Sequence, residues 1–231
     1  MKLLGIDTNS KTIKGQKKGY LTGIMYLAPA DESGQMNVCA NSSPACKADC
    51  LYTAGRGIFK NVKAARIKKT LLFKDNNSLF MEYLRRDIAG LVKKADKMNM
   101  IPCVRLNGTS DIPFENTGIM QEFPNIQFYD YTKDFKRMLK FLSAVAWPKN
   151  YYLTFSRSEI NEAECNTILS MGGNVAVVFA KPAFPTSWNY NEVVNGDETD
   201  LRFLDKDNTI VGLKAKGFAK KDTTSGFVVL N

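Results

Sequence analysis

From residue 100 onward the chain repeats one pattern: a short β-rich run, a polar turn, then a stretch with helical period. The runs are 101–106, 126–131, 151–155 and 174–179, and helical periods are predicted over 134–143 and 162–171. Strand, short turn and helix in repetition dictate parallel βαβ units, because parallel neighbours need a crossover that returns the chain to the same edge. In such folds ligands gather beyond the carboxyl ends of the strands. The turns there carry Asp111, Asp130, Lys133, Arg157 and Lys181.

Upstream, 20–28 is a β-rich run that stops at Pro29, and it is read as the first strand of the same sheet. Two helices follow, over 61–75 and 78–99, with Ser78 as cap of the second and Glu82 in its first turn. Residues 1–19 are basic, lack a clear period and are read as an irregular lead-in, while 185–231 reads as a closing segment with a terminal strand near 226–230. A chain of 231 residues accommodates these elements as a single domain. The expected fold class is α/β: a partial (β/α) barrel with parallel strands and a metal loop at its C-terminal face after the first strand. About six strands fall short of the eight of a complete TIM barrel. An open doubly wound sheet is the alternative, although no glycine-rich phosphate loop follows a strand.

The loop after the first strand holds three of the five cysteines: Cys39, Cys46 and Cys50, spaced C-x6-C-x3-C. Three thiols so close cannot all pair with one another, and the spacing lacks the paired CxxC knuckles of structural zinc. Thiolate sulfur suits iron–sulfur clusters and zinc and disfavours magnesium and calcium. A [4Fe–4S] cluster on Cys39, Cys46 and Cys50 is the expectation, with zinc or free thiols as alternatives. Cys103 is the candidate fourth ligand, and Cys165 is read as a small buried apolar residue. The chain has no histidine, which excludes Cys2His2 zinc, histidine triads and imidazole bases.

Among the strand-end residues, Asp111, Lys133 and Arg157 are the candidates for catalytic work, and Arg56, Asp111, Arg157 and Lys181 for holding a cofactor. Arg157 offers a guanidinium fork for an anion, and Arg56, beside the cysteine loop, could tune a cluster from its second shell. The formal net charge is +9. Between residues 57 and 100 there are eleven Lys and Arg against four Asp and Glu, an excess that favours an anionic small molecule or nucleic acid as partner. No run approaches a membrane span, and the opening residues turn polar at once, so neither a leader nor a membrane partner is expected.

Three stretches also carry a family resemblance: Cys46-Lys47-Ala48-Asp49-Cys50 with its continuation to Gly57, Val104-Arg105-Leu106-Asn107-Gly108-Thr109-Ser110-Asp111, and Phe128-Tyr129-Asp130-Tyr131-Thr132-Lys133. In that order, across residues 38–160, they resemble the bacteriophage gene-product-eighty-eight family. The resemblance implies a virus-encoded protein working in the cytoplasm of an infected bacterial host. The placing of cysteines after the first strand of an α/β barrel is similar to radical S-adenosylmethionine enzymes, whose usual spacing is C-x3-C-x2-C. That layout implies a cluster and a barrel; the spacing departs from the pattern that goes with S-adenosylmethionine. Three functions stay open: an iron–sulfur enzyme, radical or redox, acting on a small molecule or nucleotide; a nucleic-acid-binding phage protein with a structural cluster; and a zinc-stapled interaction protein.

Overall fold

The structure is a computed structural model that describes residues 1–6, 9–181 and 183–231. Among the described residues, ten strands lie in one mostly parallel sheet: β1 (Leu4–Ile6), β2 (Tyr20–Met25), β3 (Ile101–Arg105), β4 (Gln127–Thr132), β5 (Tyr151–Ser156), β6 (Val175–Phe179), β7 (Ser187–Trp188), β8 (Asn191–Asn195), β9 (Ile210–Lys214) and β10 (Val228–Val229). The spatial order is β1-β2-β3-β4-β5-β6-β9-β8-β7. Pairing is parallel from β2 through β8 and antiparallel at the ends, β1 with β2 and β7 with β8. The path is open and does not close on itself. β10 runs parallel to the C-terminal end of β6, opposite Val178 and Phe179, beyond the residues 175 and 176 at which β5 pairs.

Seven α-helices among the described residues accompany the strands: α1 (Ser10–Gln16), α2 (Pro44–Ala48), α3 (Lys60–Asp75), α4 (Asn77–Lys97), α5 (Ile119–Glu122), α6 (Phe135–Ser143) and α7 (Glu162–Ser170). Helix α4 shows why the sequence pattern was readable. Phe80, Leu84, Ile88, Leu91 and Ala95 recur every three or four residues, all are buried, and they lie on the stripe that faces the sheet. Its cap is Asn76, whose side chain accepts from the Leu79 amide at 3.0 Å, so the helix begins one residue before the expected Ser78.

Residues 1–19, read as irregular, carry β1 and α1. Both escape a periodicity search for physical reasons: β1 has three residues, and the buried positions of α1 are Thr12 and Gly15, neither of which marks an apolar stripe.

One core, with α4, α6 and α7 contributing, fills one side of the sheet. The other side is covered by residues 199–205: Leu201 packs with Cys103 and Tyr129, and Phe203 meets the rings of Tyr20 and Tyr129 edge-on or tilted. Under this cover lies a buried ion pair, with Arg105 Nη1 donating to both carboxylate oxygens of Asp200 at 2.9 and 3.1 Å. That side of the sheet is filled by its own core, part aromatic and part ionic.

Candidate functional site

The cysteine loop leaves β2 and returns across the ends of β3, β4 and β5. Short helix α2 begins with Pro44 and is capped by Ser43, whose hydroxyl accepts from the Cys46 amide at 3.2 Å. Glu159, from the turn after β5, clamps the same start: it accepts from the Ser43 hydroxyl at 2.6 Å and from the Ala45 amide at 3.0 Å. A carboxylate against free amides at a helix start satisfies donors that have no partner within the helix. Asp49 caps the end of α2, and Cys50 begins the next turn, its carbonyl accepting from the Thr53 hydroxyl at 2.8 Å. On the other flank, the Asp111 amide donates to the Val38 carbonyl at 2.8 Å, tying the loop to the end of β3.

This arrangement turns Cys39, Cys46 and Cys50 toward one cleft of about 450 Å3, which Pro29, Lys47 and Tyr52 also line. All three cysteines are partly exposed. Burial pushes the Cys39 thiol up to about 12, with the nearby Cys50, Asp111 and Cys46 adding to the rise. Burial raises Cys50 as well, and Arg66 and Lys133 oppose it. A cation binding there must displace protons from sulfur, so uptake would be favoured by higher pH. Among the described residues, no three Cys, Asp or Glu side chains surround the position of a single metal ion. The donor set on the cleft is three thiols, a chemistry suited to thiophilic metals rather than to magnesium or calcium.

Cys103 does not join them. It sits in mid-strand opposite Thr22, with its sulfur 3.2 Å from the Thr22 hydroxyl, and packs under residues 199–205. Burial pushes this thiol up to about 12. Cys165 is buried on α7, 3.6 Å from Asn161 Oδ1.

The strand-end polar residues come together, but several already have partners. Asp111 accepts from the Thr132 hydroxyl at 3.1 Å, the Lys133 amide at 2.8 Å and Arg137 Nη1 at 2.7 Å. Arg157 donates to Glu162 at 2.8 Å and to the carbonyls of Gly226 and Phe227, and its guanidinium lies over Trp188. Its role is to fasten the C-terminal segment beside β6, and the fork is not open to an anion. Lys133 reaches Ser156 Oγ at 2.6 Å and is among the charges acting on Cys50. Lys181 is exposed, and its amide donates to Asn231. Arg56 is exposed in the turn just after the cysteines. Asp130 is wholly buried, accepting from the Asn107 amide at 2.7 Å and the Tyr151 hydroxyl at 2.9 Å. Burial raises its carboxyl to about 6 against the pull of Arg105 and Arg137.

One residue absent from the sequence reading matters more than Arg56. Arg66, on α3, is buried, and its Nε and Nη1 have no hydrogen-bond partner among the described residues. Its guanidinium stacks 4.8 Å from the Tyr26 ring centroid, and Cys50 and Tyr52 are among the groups whose charge acts on it. Orphan donors at this depth are costly unless something takes them. The signal was present: Val62, Arg66, Thr70 and Phe73 share one helix face, and a guanidinium in an otherwise inward-facing row is anomalous.

The chain belongs to the bacteriophage Gene product 88 family, whose model matches residues 2–230. No curated protein and no solved structure matches it. No helix among the described residues is long and apolar enough to cross a membrane.

Proposed function

We propose, taking membership of the phage family as premise, that this protein is an iron–sulfur protein whose [4Fe–4S] cluster is held by Cys39, Cys46 and Cys50. The observation that carries the reading is the sorting of the five cysteines: the three from one loop line a single cleft, and the other two are buried elsewhere. When bound, such a cluster supplies one-electron transfer and, with three protein thiolates, an iron position open to a further ligand.

The chain's own residues would do the rest. Glu159 and Ser43 hold α2, and so set where Cys46 projects. Lys133 and Arg66 bring positive charge toward Cys50, which offsets the negative charge that three thiolates bring. The sequential parallel order from β2 to β6 supports the half-barrel reading, in which the cleft lies where barrel enzymes bind their ligands. The substrate side is an anionic small molecule or a nucleotide at the strand ends. All five cysteines are free, which suits the reducing cytoplasm of an infected host.

Oxygen-free purification followed by iron, sulfide and zinc analysis tests the proposal. Iron and sulfide in cluster stoichiometry are expected, with loss in Cys39→Ser, Cys46→Ser and Cys50→Ser and retention in Cys103→Ser and Cys165→Ser. Stoichiometric zinc with no iron, or bleaching by Cys165→Ser as complete as by Cys46→Ser, would overturn it.

A further inference from the structure

We infer that the rim of the cysteine cleft is a binding surface for single-stranded nucleic acid, which would present a nucleotide to the cleft. The inference rests on the reading above only for the cleft's chemistry, since the surface itself is made without iron.

Two separate segments meet beside the cleft, the first of them reaching its lining through Tyr52. Residues 51–74 hold seven Lys and Arg and no Asp or Glu, and residues 213–221 hold four Lys and again no acid. They are joined in space: the turn at 51–53 packs on the turn at 217–221, and the Phe218 amide donates to Thr53 Oγ1 at 3.3 Å. Gly217 is at φ 59°, and a Cβ there would meet Thr53 Oγ1 at 2.5 Å, so the close contact requires glycine. Around the joint, Arg56, Lys60, Lys220 and Lys221 are exposed. Lys63 stands 4.2 Å above the ring of Tyr52, a residue that lines the cleft.

Charge alone would fit any polyanion. The apolar side chains narrow the choice. Leu51, Ile58, Phe59 and Phe218 are each more than half exposed, at 54%, 53%, 55% and 62%, on these same segments. Exposed aromatic rings among cations suit unpaired bases, which stack on rings while the backbone follows the charge; a duplex keeps its base faces covered. The acids nearby do not contradict this. Asp222 is already engaged, accepting from the Ser225 hydroxyl and from the Thr224 and Ser225 amides. Asp31 pairs with Lys47 at 3.1 Å, and Glu32 accepts from the Tyr52 hydroxyl at 2.9 Å, which assigns the opposite lip of the cleft a different character.

The test is fluorescence anisotropy of the full chain with labelled oligo-dT, oligo-U and a mixed-sequence DNA duplex over a range of salt. Tighter binding of one or both single strands than of duplex is expected. The triple variant Lys60→Gln/Lys220→Gln/Lys221→Gln should weaken it at least ten-fold and flatten the log–log salt slope by about 2, at about 0.7 per lost phosphate contact. Phe59→Ala and Phe218→Ala should each weaken it roughly ten-fold, within the range for one stacked base. Lys93→Gln/Lys97→Gln on α4 should leave it unchanged. The inference is overturned if no oligonucleotide binds at low salt, as an acidic protein partner would predict, if duplex binds as well as single strands, or if the α4 control weakens binding as much as the triple. Iron analysis of the same preparations separates the two proposals: iron without strand binding sinks the surface alone, and strand binding without iron sinks the cluster alone.

Discussion

Replacing Arg137 by methionine tests the account of the strand-end network. Arg137 is 4% exposed and makes a two-pronged contact with Glu115 at 2.8 Å on each arm, while also donating to Asp111 at 2.7 Å and the Tyr151 hydroxyl at 2.6 Å. Glu115 and Asp111 are themselves only 11% and 10% exposed. Arg137→Met therefore strands two nearly buried carboxylates, and removing one partner from such a pair costs about 3–5 kcal/mol. For a chain of this size each kcal/mol shifts melting by about 2–4 °C, so a fall of roughly 10 °C is expected. Urea unfolding followed by circular dichroism measures the free energy directly, with an unchanged m-value showing that only stability moved. The double variant Arg137→Met/Glu115→Leu, which leaves fewer orphan charges, should recover part of the loss. A single-variant cost below about 1 kcal/mol, or a double variant no better than the single, would refute the claim that the network is desolvated and mutually dependent.

Arg66→Met should leave the iron-free protein as stable as before or about 1 kcal/mol more stable, because it removes buried donors that lack partners, yet weaken iron retention; a loss above about 3 kcal/mol in the iron-free protein would mean those donors are paired. Burial alone would raise the Asp197 carboxyl, but Lys11 at 2.7 Å, with the Lys214 amide and Lys216, overrides it and holds the group down to about 2. Its unfolded value is about 3.9, so the stability it contributes, on the order of 1 kcal/mol once solvent screening at this half-buried site is allowed for, is fully present above that pH and lost as pH falls toward 2. Asp197→Asn should remove this part of the acid dependence in urea titrations between those limits, and an unchanged acid limb would contradict the assignment.

Local pattern along the chain specifies the alternation of strands and helices, the strand ends on which polar residues collect, and the loop that gathers three thiols. These follow from local period: apolar residues two apart or three to four apart specify which face of an element is buried, as α4 shows. Which groups are already spoken for depends instead on packing between distant segments. Arg157 and Asp111 have the chemistry of a site and are held by Glu162 and Arg137, whereas the buried Arg66 has two donors without a partner among the described residues, and the charge of Cys50 acts on it. Cys103 differs from Cys39 not in chemistry but in place: it sits in mid-strand under residues 199–205, whereas Cys39 lies on a loop that lines the cleft. The insertion of β9 between β6 and β8, and the joining of residues 51–53 to 217–221, come from contacts made far along the chain. Periodicity records the burial of a face. It carries no record of the partner that buries it, because that choice is made by packing between distant segments.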